Sequence, residues 1–178
     1  FHWTGTWGYA WFVDDFAILE TADNAIVASN EVIGGFWIDY ANYSGAGLND
    51  IYGLDYSQIP LSQLSNHPFS FEALVKNTGL SVQHTTLKYD VTGASSASGV
   101  SSTIVLNPQE DSSFAAVPTF GSATTAIGSY SVDIWAEADS VGVGVTITTS
   151  PVVTKEFEVT NYIYGKDLGE ENQTGAYV

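Results

Sequence analysis

Cysteine is absent from the 178 residues, which removes both a disulfide framework and any thiolate zinc site. A chain of this kind suits the cytosol, and equally a bacterial surface protein that draws its stability from size and calcium. Basic residues are scarce, four against twenty acidic ones, for a formal charge of −16. That field repels phosphate backbones and anionic head groups, so nucleic acid is not expected as a partner. The same carboxylates suit divalent cations, calcium above all, although solubility alone is a sufficient reason for them. No apolar run approaches the roughly 20 residues of a membrane span, and no basic, apolar, small-residue pattern resembles a signal peptide. Membrane insertion is therefore not expected. Methionine is missing too, and the chain opens on Phe1-His2-Trp3, so it reads as a fragment or a processed product.

Catalytic signatures are equally sparse. His2, His67 and His84 lack the i, i+4 spacing of a zinc helix, and neither HExxH nor G-x-S-x-G occurs. Gly45-Ala46-Gly47 begins like a dinucleotide fingerprint, but Asp50 holds the third glycine position and no helix follows, so the segment reads as a loop. With twenty acids, coincidental carboxylate pairs are certain and carry no weight. The expectation is a chain without catalytic activity.

What is present is alternation. Hydrophobic residues make up 44% of the chain and aromatics 13%, enough apolar surface to fill a sandwich core. No helical stripe of useful length interrupts the period of two, so the fold class is all-β. Phe69, Phe71, Ala73 and Val75 share one face of a strand, Asn77-Thr78-Gly79 supplies a turn, and Leu87, Tyr89 and Val91 return on one face, which reads as a hairpin. Gly93 to Gly99 reads as a small polar loop before short strands at Thr103 to Leu106 and Phe114 to Val117. A longer strand, Ser129 to Ala138, sets Tyr130, Val132, Ile134 and Ala136 against Ser131, Asp133, Trp135 and Glu137. A last strand carries Phe157, Val159 and Tyr162, and Val141 to Thr149 is a further strand or an excursion. With Leu54 to Leu61 as an edge strand, where Pro60 is tolerated, residues 54–164 hold about seven strands, the number expected of an immunoglobulin-like antiparallel β-sandwich. Residues 21–53 read as an extended connection. The stretch from Trp7 to Leu19 is too dense in aromatics to stand alone in water and calls for a partner sheet, and residues 165–178 read as a linker into a following domain.

Several segments together resemble a known family: WFVDDFAI from Trp11, YSQIPLSQ from Tyr56, FEALVKNTG from Phe71 and FEVTNYIYGKDLG from Phe157. They are similar to large multidomain proteins exported by the type IX secretion system, in which a MAM-like, or choice-of-anchor J, jelly roll precedes a CARDB-like immunoglobulin-like module. The resemblance implies that residues 1–20 are the terminal strand of a preceding jelly-roll sandwich. It also implies an extracellular or cell-surface setting, with neighbouring domains of the same protein or the secretion machinery as partners.

Four residues stand out as candidate sites. Asp14 shares a face with Phe12, Phe16 and Ile18, and a carboxylate there needs a strong partner. In similar jelly rolls an acidic pair at this place contributes to a structural calcium site, and Asp14 and Asp15 match it; the alternative is hydrogen bonding to a neighbouring strand. Ser140, within Asp139-Ser140-Val141, matches the O-glycosylation motif of surface proteins in type IX-secreting bacteria. The sequons at Asn42 and Asn172 are too common a pattern to use. Among the aromatics available for stacking on carbohydrate (Trp3, Trp7, Trp37, Tyr40, Tyr43 and Trp135), Trp135 is the sharpest test, because it opposes the apolar face of its strand. The leading expectation is a structural or adhesive module of a large extracellular protein. The alternatives are an accessory region of a secreted hydrolase and a carbohydrate-binding module.

Overall fold

The alternation at Phe69, Phe71, Ala73 and Val75 becomes burial in the computed structural model, where all four side chains are at most 2% exposed while their neighbours at 70, 72, 74 and 76 face outward. The structure describes residues 20–33, 37–39, 51–53, 57–122, 124–140, 142 and 144–165. In chain order the elements are β1 (Ile26–Ile33), β2 (Trp37–Asp39), β3 (Ile51–Gly53), β4 (Gln58–Pro60), the helical turn α1 (Leu61–Leu64), β5 (Phe69–Asn77) and β6 (Gln83–Gly93). They continue with β7 (Ala97–Val100), β8 (Ile104–Leu106), β9 (Asp111–Phe120), β10 (Gly128–Asp139), β11 (Thr148–Thr149) and β12 (Val153–Thr160).

Two layers face each other. The first runs β1-β5-β9, and the second β7-β6-β10-β12-β4, with β8 on β6 and β11 on β10. A single pairing, Val100 with Val117, joins them at one margin. Pairs within both layers are antiparallel except β4 with β12, which is parallel. β2 and β3 form a separate small antiparallel pair. This is the immunoglobulin-like arrangement, and Tyr130 supports it independently. It sits near the start of β10 after the β9–β10 connection and donates its hydroxyl to the Ala126 carbonyl at 2.6 Å, the tyrosine corner of such sandwiches.

Between the layers lies one core. Phe157 touches the rings of Phe69, Phe120 and Tyr130 at 5.5, 5.4 and 5.1 Å, and Phe71 lies 4.4 Å from Tyr89. Leu87, Val91, Val132 and Ile134 are fully covered, so the inward register expected for Phe71, Val75, Leu87, Tyr89, Tyr130, Val132 and Ile134 holds.

Several expectations are corrected. Within the supposed connection 21–53, β1 is a strand of the sandwich, paired with β5 and burying Ile26 and Ile33 in the core. A bulge hides it from the sequence pattern: Asn30 takes a left-handed φ of 55° and the register shifts between Ser29 and Val32, which breaks the period of two. Asn77-Thr78-Gly79 does not close a hairpin, because β5 and β6 lie in different layers. Instead the buried Asn77 amide donates to the Ser81 and Leu106 carbonyls and accepts from Gly79 N–H, an arch that carries the chain across the core. Residues 22–25 strap this arch, accepting the N–H groups of Thr78, Gly79, Leu80 and Ser81.

The polar loop 93–99 contains the start of β7, which pairs with β6. The strand at 114–117 is the middle of the longer β9, and 141–149 is an excursion ending in the two residues of β11. The edge strand is the shorter β4, closed by Pro60 as expected of an edge position. The last strand stops at Thr160, leaving Tyr162 exposed. The jelly-roll strand expected at 1–20 and the linker at 165–178 lie, but for Glu20 and Gly165, outside the described residues.

Candidate ligand-binding face

Because β10 alternates, the residues opposite its core set form a row on the outer surface of the second layer. Register places Trp135 beside Lys88 of β6, and Lys88 beside Val100 of β7. The next rows pair Glu137 with Thr86 and Asp133 with Asp90. Chemistry concentrates on Glu137. Its carboxylate accepts from Lys88 Nζ at 2.7 Å, from Trp135 Nε1–H at 2.9 Å and from the Thr146 hydroxyl at 2.7 Å. Burial pushes this carboxyl up, but the bonds from Lys88, Thr146 and Trp135, with the charge of Lys88, outweigh it and hold Glu137 below its ordinary range.

The bond to Glu137 also fixes the indole. Two residues apart on one strand face are separated by about 7 Å, so the Nε1 edge of the indole is turned along the strand toward Glu137. The indole that results is half-buried on the outer row of the second layer. Beside it is an open trough of about 560 Å³, lined by Trp135, Lys88, Asp90, Ser98, Val100 and Val117 among others. Val100 and Val117 are exposed there. A second hollow of about 380 Å³ shares Lys88 and Val100 with the first and extends over His84, Glu137 and Asp139.

Asp139 closes the far end of this face. Its buried carboxylate accepts the backbone N–H groups of Gly144 and Val145 at 2.6 and 3.3 Å, folding the excursion after β10 back over the sheet. Gly142 passes so near His84 that a Cβ there would come within 2.9 Å of the imidazole. Ser140 follows at the bend, half-buried.

Of the candidate residues from the sequence, only Trp135 belongs to this constellation; Ser140 neighbours it through Asp139. Asp14 and Asp15 lie outside the described residues. Among the described residues no three His, Asp or Glu side chains cluster as metal ligands would. The sequence does not mark Glu137, Lys88 and Thr146 as a unit. The Trp-x-Glu spacing on the outward face of β10 is the signal that marks the first pair, whereas Lys88 and Thr146 arrive only through strand pairing and the return of the excursion.

No family model matches the chain, and no curated protein matches its sequence. Two solved structures are similar in shape. One is an alkylpurine DNA glycosylase from Pseudomonas fluorescens bound to DNA containing an abasic-site analogue, at 11% identity and a TM-score of 0.43, covering 78% of this chain. The chain spans 30% of that protein's length. The other is the CARDB domain of a Pyrococcus furiosus protein in complex with di-metal ions, at 17% identity and a TM-score of 0.35, covering 83% of this chain and 98% of that one. It is a module of the kind the sequence resembles. The expectation of a chain without enzymatic activity is corrected here: one of the similar structures is an enzyme, and that exclusion is withdrawn. Likeness at this level transfers no activity, metal or nucleic-acid binding to this chain.

Proposed function

We propose that this chain is a spacer or adhesive module of a longer extracellular or cell-surface bacterial protein. The observation that carries the reading is the placing of entry and exit. β1 starts beside the arch at 77–81, strapped by residues 22–25, whereas β12 finishes at the opposite end beside β4. There Gly165 exchanges backbone hydrogen bonds with Ser57 and Gln58, and Glu158 N–H donates to the Ser57 carbonyl at 2.7 Å. Residues 22–25 and Gly165 thus sit at opposite ends of the sandwich, which suits a module set between two neighbours.

The export route implied by the sequence resemblance, the type IX system, belongs to this proposal. So do a glycan on Ser140 and a structural calcium near Asp14 or Asp15. Antibody raised against residues 20–165 tests the setting: it labels unpermeabilised cells of the natural host if the reading is right, and labelling that appears only after lysis contradicts it. Intact mass of protein from that host decides the glycan, since the bare polypeptide mass excludes it. Calcium titration of the Asp14→Ala, Asp15→Ala double variant decides the metal, because an affinity unchanged from the parent removes those two residues as ligands.

A further inference from the structure

The outward Trp135 asks for an explanation that a spacer does not need. Trp135 is half-buried on the outer row, and with its one polar atom already satisfied by Glu137 the part that reaches solvent is apolar ring surface. Exposed Val100 and Val117 extend that surface across the trough, and the exposed Ser98 hydroxyl and Asp90 carboxylate stand along it. A flat apolar patch ringed by hydrogen-bonding groups matches a pyranose ring, which has an apolar C–H face and a polar edge.

We propose that the outer face of the second sheet binds a neutral oligosaccharide, with one sugar stacked on Trp135 and its hydroxyls bonded to Asp90 and Ser98. Two features define the ligand further. The 560 Å³ trough and the 380 Å³ hollow both border Lys88 and Val100, so the face has room for more than one sugar unit. Among the described residues the neighbouring carboxylates are Asp90, Asp133, Glu137 and Asp139, and Lys88 is already paired with Glu137. A uronic acid or sulfated chain is repelled there, and a neutral chain is not. The inference does not rest on the spacer reading, since such a face would serve in any compartment.

The test is native electrophoresis of the full chain in gels cast with soluble polysaccharides: hydroxyethyl cellulose, xyloglucan, mixed-linkage β-glucan, galactomannan and the acidic polygalacturonate. Retardation by at least one neutral polymer and none by polygalacturonate is expected. Trp135→Ala weakens that retardation by about tenfold or more, while Trp135→Phe, which keeps a stacking ring, retains part of it. Val117→Asp on the exposed far wall weakens it as well, and Ala115→Asp on the outer face of the first sheet leaves it unchanged. Retardation by none of the neutral polymers overturns the proposal. So does retardation by polygalacturonate alone, or retardation that survives both Trp135→Ala and Val117→Asp.

Discussion

On the outer face of the first sheet, β5 and β9 set Leu74 beside Ser113 and Glu72 beside Ala115, and β1 adds Ser29, whose hydroxyl donates to the Leu74 carbonyl at 3.4 Å. On the outer face of the second, the same antiparallel pairing sets Trp135 beside Lys88, and three side chains, Lys88, Trp135 and Thr146, converge on the Glu137 carboxylate. Backbone geometry is shared and chemistry is not. The first face mixes small, apolar and charged side chains, with the Ser70 hydroxyl donating to Glu72 at 2.7 Å, whereas on the second a charge is partly buried, three donors converge on it, and an excursion of the chain is folded back to supply one of them. The first layer therefore supports, and the second presents.

Substitutions that cut across this contrast sharpen it, beginning with the core that both layers share. Phe157→Ala removes the ring that contacts Phe69, Phe120 and Tyr130, and a loss of about 3–5 kcal/mol in urea unfolding is expected. Ile33→Ala in β1, where the side chain is 1% exposed, costs about 2–5 kcal/mol. A loss under about 0.5 kcal/mol, the usual size for a surface change, would return residues 26–33 to the role of a connection. On the second face, Glu137→Ala strands three donors and costs about 1–2 kcal/mol, while Ser113→Ala on the first stays within about 0.5 kcal/mol. Equal effects at these two positions would erase the contrast. Lys88→Ala, which breaks a pair whose lysine side chain is 35% exposed, is the smallest on the second face, at under about 1 kcal/mol.

The sequence carried most of the core and part of this face. Strict alternation announced β5, β6 and β10 with the right residues inward, because a half-buried strand leaves its period in the chain. It also set Trp135 and Glu137 on one outward row. The bulge at Asn30 interrupts the period and hides β1, and a turn signal such as Asn77-Thr78-Gly79 says that the chain reverses, not which layer it returns to. Lys88 and Thr146 could not be assigned to Glu137 from the sequence, since one arrives through cross-strand register and the other through a loop held by Asp139. Nonlocal pairing leaves no local mark.

Glu137 also gives the contrast a pH signature. A carboxylate held below its ordinary range contributes stability that is present above its unfolded value and is lost as pH falls through its folded value. The most direct test of the second face is an NMR titration that follows the indole Nε1–H resonance of Trp135, assigned by its loss in Trp135→Phe, as the pH is lowered. The account predicts a shift that tracks protonation of Glu137, with a midpoint below the usual glutamate value of about 4.3, and its disappearance in Glu137→Gln. A midpoint at or above that value, or a resonance indifferent to the substitution, would contradict it.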